Sequence, residues 1–132
     1  LVHELWHAID IYYLRKYEDY DASDYFYKIS WADYKIKKED SKVWDFVSWY
    51  ALSNKYEDIA ESFVFYVFHN EEFKKRGYDN SKLRKKYDFF SKFIFKDNEF
   101  KDTDFKDFKI KDYNRDTTKI SINLTRFLYY IE

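Results

Sequence analysis

Two histidines with a glutamate after the first stand at the start of the chain, in His3-Glu4-Leu5-Trp6-His7. On an α-helix, positions 3 and 7 differ by about 40° in azimuth, so both imidazoles leave one face, a turn apart. That spacing lets both coordinate one ion at about 2.0–2.1 Å. Glu4 lies on the same turn, close enough to reach a water on that ion without itself being a ligand. Zinc lowers the pKa of such a water to about 7, and a neighbouring carboxylate can take its proton as the water attacks a carbonyl. The ordinary alternative is a helix with two surface histidines and a solvated glutamate. Against it, the chain has only 3 His, and two of them sit here on an otherwise apolar helix.

Two histidines do not complete a catalytic zinc site, so a third protein ligand is needed. The metzincin pattern would require Gly at position 10 and His at 13, where this chain has Asp10 and Tyr13. His69 stands beside Asn70 and Glu71 at the far end of a second helix and reads as a C-terminal cation facing the helix dipole. Glu57 and Glu61 in Glu57-Asp58-Ile59-Ala60-Glu61 share one face of that second helix. Stacked like charges at this spacing repel slightly, and a cation beside them would remove that cost. Two solvated carboxylates near a helix start are the ordinary reading. Taken with the first helix, a His₂Glu site becomes the better account.

The elements that must position these groups follow from periodicity. Residues 1–16 contain no Gly or Pro and read as a helix, with Leu5, Ile9 and Tyr12 on one stripe and Trp6 with Tyr13 on another. Residues 18–24 are acidic and turn-prone, residues 25–34 alternate loosely as a short strand or irregular segment, and residues 35–42 read as a charged surface linker. A second helix is expected over 55–69, with Asn54 as N-cap and Glu57 three positions on, as in a capping box. Its core face is Ile59, Ala60, Phe63, Tyr66 and Val67. Gly77 should end the following turn, and a third helix should start at the cap Ser81 and run to about residue 95, with Leu83, Tyr87, Phe90 and Ile94 inward. Residues 95–113 form a degenerate Phe-Lys-Asp repeat, read as low-complexity surface sequence with anchoring Phe side chains rather than an aromatic recognition strip. Alternation at Ile120, Ile122 and Leu124 suggests one strand, and Asn123-Leu124-Thr125 matches a glycosylation triplet that is common by chance.

At 132 residues the chain is a single domain or a piece of one, and 45% hydrophobic content supports a globular protein. We divide it into a helical core over 1–95 and a charged aromatic tail over 96–132. Charged residues make up 37% but nearly cancel, to a net charge of -1, which gives no electrostatic reason to expect nucleic acid as a partner. Aromatic residues at 25%, with 1 Gly and 0 Pro, fit an AT-rich coding bias and carry little functional weight. With 0 Cys there is no disulfide framework, thiolate zinc ligand or cysteine nucleophile. No apolar run approaches the roughly 18 residues of a membrane span. The chain opens at Leu1, two residues ahead of its main motif, so we expect a longer natural protein upstream.

These segments resemble the catalytic domain of the anthrax lethal factor-like metallopeptidases, which include the clostridial Pro-Pro endopeptidases. His3-Glu4-Leu5-Trp6-His7-Ala8-Ile9-Asp10 is similar to that family's extended HExxH helix, with an acidic residue three positions after the second histidine. The segment from Tyr50 to Phe63 is similar to its Tyr-x₆-Glu-x-x-Ala-Glu-x-Phe pattern. The resemblance covers roughly the first 75 residues and implies a gluzincin: zinc ligation by His3, His7 and Glu57, Glu4 as general base, and Tyr50 as the phenol that stabilises the oxyanion or assists the leaving amine. It further implies that Glu61 holds a ligating side chain in orientation. Asp10, a turn away from His7, would act similarly. Trp6 is a departure, since many relatives carry a small residue there. In that family a sheet precedes the HExxH helix and aligns the substrate backbone by strand addition.

The expected architecture is therefore mainly α for this chain, as the C-terminal helical portion of an α+β zincin-like fold. The expected activity is a zinc-dependent endopeptidase acting on a protein or peptide, secreted as the resemblance implies, with a cytoplasmic location as the alternative. Two other readings stand beside it. One is an intracellular HExxH peptidase of a mobile element that cleaves a repressor, a family that lacks the tyrosine seven residues before the glutamate. The other is a non-catalytic, toxin-like zinc-binding module.

Overall fold

The computed structural model describes residues 2–12 and 22–95. Within them the chain is mainly helical and contains no strand. Helix α1 (Val2–Tyr12) is followed by α2 (Ser23–Ser30), two short 3-10 turns (Val43–Asp45 and Tyr50–Leu52), α3 (Lys55–Phe68), α4 (Asn70–Asp79) and α5 (Ser81–Asp88). The chain then continues from α5 as a π-helical turn, Phe89–Ile94. The expected strand over 120–124, the Phe-Lys-Asp repeat beyond Phe95 and the stripe residue Tyr13 lie outside the described residues. No helix described is long and apolar enough to cross a membrane.

Helix α3 is the centre of the packing. Its start is set by Asn54, whose extended backbone ends the preceding turn and whose side-chain oxygen accepts from the Tyr56 and Glu57 N–H groups at 2.9 and 3.1 Å. These are two donors that the helix cannot satisfy itself. The reciprocal half of the expected capping box is not used, because the Glu57 carboxylate turns towards the histidines of α1. Ile59, Ala60, Phe63, Tyr66 and Val67 are all buried, as the helical period requires.

Against this face α1 lays Trp6, fully buried, with its indole 4.6 Å from the Phe63 ring and edge-on to Phe90 at 5.2 Å. The large residue at position 6 is thus accommodated by an aromatic pocket. Its Nε1 has no hydrogen-bond partner. That costs about 1–3 kcal/mol, set against the burial of a large aromatic surface.

The segment over 25–34 is where the structure departs most from the sequence reading. It is neither strand nor irregular through residue 30 but the helix α2, with Ser23, Phe26, Tyr27 and Ser30 buried. Those positions follow the helical spacing, and only at Trp31 does the backbone become extended. The aromatic residues here suit a pleated surface equally well, and burial against α3 and α5 decides for the helix. Phe26 packs on Phe89 and Phe90, at 5.5 and 5.8 Å between ring centroids.

Two smaller corrections concern α4 and α5. The cap of α5 is Asn80, which accepts from Leu83 N–H at 2.9 Å, and Ser81 is the first helical residue. Gly77 does not end a turn but lies inside α4 and is buried. A Cβ there would stand 3.2 Å from the Arg84 Cα, so glycine permits the close approach of α4 to α5.

Beneath α3 lies a buried ion pair that the sequence did not announce. Lys86 Nζ and Asp58 Oδ2 are 2.8 Å apart, both side chains wholly buried. Trp31 Nε1 donates to the same carboxylate at 2.9 Å, and Lys86 also donates to the Asp45 carbonyl at 2.8 Å while lying 4.0 Å from the Phe46 ring centre. Burial pushes the Asp58 carboxyl up, against the opposing pull of Lys86, Trp31 and Ser62. Burial likewise pushes the Lys86 ammonium down, against the pull of Asp58 and Asp45.

Candidate metal centre

The same α1–α3 contact that seats Trp6 on Phe63 brings the two expected ligand faces together. His3 Nε2 lies 2.8 Å from Glu57 Oε2, His7 Nε2 lies 3.6 Å from the same oxygen, and the two imidazole Nε2 atoms are 3.1 Å apart. Among the described residues His3, His7 and Glu57 form a group able to hold a metal ion. His69 is not in it. That ring is buried at the α3–α4 junction, 5.1 Å from Phe65 between ring centres.

The hydrogen bonding around these donors bears on whether a metal would suit them. His3 Nδ1 is 3.0 Å from Glu61 Oε1, so the ring carries a proton there and donates it to the carboxylate. In the neutral tautomer assigned this way, Nε2 holds a lone pair. That lone pair faces Glu57 Oε2, a buried oxygen with no hydrogen-bond partner, and the His7 Nε2. Three electron-rich atoms so disposed repel one another unless a cation lies among them. A shared proton would bridge two of them, whereas a metal ion satisfies all three.

The distances are compatible with an ion among the three atoms. Four ligands at about 2.0–2.1 Å in a tetrahedron stand about 3.3 Å from one another, and the three observed edges of 2.8, 3.1 and 3.6 Å bracket that value. The circle through the three atoms has a radius of about 1.9 Å, so a point about 2.0–2.1 Å from each of them lies just off their plane. The ligand side chains are partly exposed, 19% for His3, 26% for His7 and 20% for Glu57, while the Glu57 Oε2 itself is buried.

Around the three donors the remaining expected residues fall in distinct places. Glu61 is one turn beyond Glu57 and engages His3 through the ring nitrogen that faces away from the group. That is the arrangement by which a carboxylate fixes the tautomer and orientation of a ligating imidazole. Tyr50 stands at the rim, half-exposed, with its ring 5.7 Å from that of His3. Glu4 is exposed on α1, on the solvent side. Asp10 is buried and accepts from the Ser23 hydroxyl and, at 3.0 Å, from the Tyr27 hydroxyl, so its described hydrogen bonds fasten α1 to α2.

The sequence reading missed the groups that hold Tyr50 in place. The segment from residue 44 to 52 is fastened at several points. Asn80 donates to the Trp44 carbonyl at 3.2 Å, and Arg76 donates to the Phe46 and Val47 carbonyls at 3.0 and 3.1 Å. Lys86 donates to that of Asp45. Ser48 donates to Glu61 Oε2 at 2.7 Å. No spacing rule flags these residues, because each bond joins elements far apart in sequence. No protein family, curated protein or solved structure matches this chain.

Proposed function

We propose that this chain carries the metal-binding and catalytic helices of a zinc-dependent endopeptidase of the lethal factor-like, gluzincin type. The observation that carries this reading is the convergence of His3 Nε2, His7 Nε2 and Glu57 Oε2 on one point. The fold this reading implies is an α+β zincin-like one in which a sheet aligns an extended peptide. The substrate is a protein or peptide, and the resemblance implies a secreted enzyme.

When bound, zinc supplies a Lewis acid that polarises the scissile carbonyl and acidifies water. The side chains supply the rest. Glu4 takes the proton of the attacking water and delivers it to the departing amine, general acid–base work worth about 10²–10⁴-fold in rate. The Tyr50 phenol, at the rim beside His3, donates a hydrogen bond to the oxygen on which negative charge develops, a contribution of about 10²–10³-fold. Glu61 holds the His3 ring so that its Nε2 stays aimed at the ion. Tyr50 also favours this reading over the repressor-cleaving HExxH peptidases of mobile elements, which lack that residue.

The test is Glu4→Gln, assayed for zinc content and for cleavage of a peptide library. Parent protein with about one zinc per chain should cleave, and the variant should keep its zinc and lose cleavage. A variant as active as the parent would remove Glu4 from the mechanism. A zinc-loaded parent that cleaves nothing would favour a non-catalytic zinc-binding module.

A further inference from the structure

Ser48 joins two regions of the site that the sequence treats separately. Its hydroxyl donates to Glu61 Oε2 at 2.7 Å and accepts the Ala51 backbone N–H at 3.2 Å. The other Glu61 oxygen accepts from His3 Nδ1 at 3.0 Å. The carboxylate is therefore held at both ends, by an imidazole and by a hydroxyl, and cannot rotate without losing one of them. Ala51 is fully buried in the turn Tyr50–Leu52. The hydroxyl thus links the orientation of the His3 ring to the turn that presents Tyr50.

Among the described hydrogen bonds, no other side chain joins Glu61 to the Tyr50–Leu52 turn, although the Tyr50 ring also lies 5.7 Å from that of His3. Arg76 and Lys86 hold the preceding carbonyls of Phe46, Val47 and Asp45, which fixes where the segment enters but not how the Tyr50 turn sits against Glu61. We infer that Ser48 is a positioning residue: through Glu61 it orients His3 towards the metal, and through Ala51 it sets Tyr50 at the rim. This inference rests on the zinc reading above. It requires one atom to donate and accept at once, which a serine or threonine hydroxyl does and an alanine methyl cannot.

The experiment measures zinc dissociation constants by chelator competition for the parent, Ser48→Ala, Ser48→Thr, Glu61→Gln and the Ser48→Ala/Glu61→Gln double variant. Loss of a direct partner of a ligating histidine costs about 10–100-fold in affinity. Ser48 acts one bond further out, so Ser48→Ala should weaken binding by about 3–10-fold, with Ser48→Thr restoring it. Ser48→Ala should add little to Glu61→Gln, since the two act as one unit. The readout independent of metal is the His3 ring of the zinc-free protein by nitrogen-15 NMR. Its Nδ1–H signal should be visible in the parent and in Ser48→Thr, and lost to exchange in Ser48→Ala.

Parent affinity and an intact Nδ1–H signal in folded Ser48→Ala would overturn the inference, as would strict additivity in the double variant. Should Ser48→Ala not fold, Ser48→Thr with parent affinity supports the link, and Ser48→Thr with weakened affinity overturns it. A parent that takes up no zinc would sink the zinc reading instead, and the His3 signal would then decide the role of Ser48 alone.

Discussion

Replacing Glu57 by Gln keeps size and helix propensity but removes the anionic oxygen that faces both histidines. The Asn54 cap of α3 should be unaffected, since it bonds the Tyr56 and Glu57 backbone N–H groups, and only the favourable first-turn charge of Glu57 is lost, about 0.3–1 kcal/mol. Zinc sites with four protein ligands bind with about 10–16 kcal/mol, or roughly 2.5–4 kcal/mol per ligand. At about 1.4 kcal/mol per tenfold, losing one ligand weakens zinc by about 10²–10³-fold. In thermal melts, zinc at about 100 times the parent dissociation constant stabilises by about 2.7 kcal/mol. For a chain of this size that raises Tm by about 8–16 °C. At the same zinc concentration the variant should gain at most about 0.4 kcal/mol, or roughly 1–2 °C. Without metal, the variant should lie within about 1 kcal/mol of the parent, because relief of the three facing lone pairs offsets the lost charge at the helix start. An equal zinc-induced shift in both proteins would refute the assignment of Glu57 as a ligand. A large loss of stability without metal would refute the claim that its carboxylate is uncompensated.

Two further outcomes follow from the same geometry. Tyr50→Phe should leave zinc affinity unchanged and lower kcat about 10²-fold or more with little change in KM, because its phenol is engaged at the rim in the transition state; unchanged kcat would favour the mobile-element type of peptidase. Lys86→Met should destabilise by about 3–5 kcal/mol at pH 7, measured by urea unfolding, since it strands the buried Asp58 carboxylate. Burial raises the Asp58 pKa above its unfolded value while Lys86 pulls against that rise, so without Lys86 the folded value stands higher still and the variant regains stability by protonation at a higher pH than the parent. The deficit of the variant against the parent should therefore shrink from pH 7 to pH 5, and a deficit that grows would contradict this account.

Much of the site was legible in the order of the residues. A helix presents side chains at fixed angles, so the spacing of His3 with His7 and of Glu57 with Glu61 already assigned each pair to a face. The same geometry placed Ile59, Phe63 and Tyr66 inward, and Asn54 at a helix start. These are local properties, set by backbone pitch and by orphan N–H groups, and they survive whatever the helix packs against.

What the helices do to one another belongs to tertiary structure. Both glutamates of α3 could have faced the histidines equally; packing of Trp6 on Phe63 sets the helices so that Glu57 meets both Nε2 atoms while Glu61 meets only the outer nitrogen of His3. Helix α2 was hidden because its aromatic residues fit a strand or a helix alike, and only burial of Phe26 and Tyr27 separates the two. Asp58 with Lys86, and Ser48 with Glu61, were invisible for the same reason. A hydrogen bond between residues far apart in sequence leaves no periodic trace, because its geometry is created by folding and not by the repeat of the backbone.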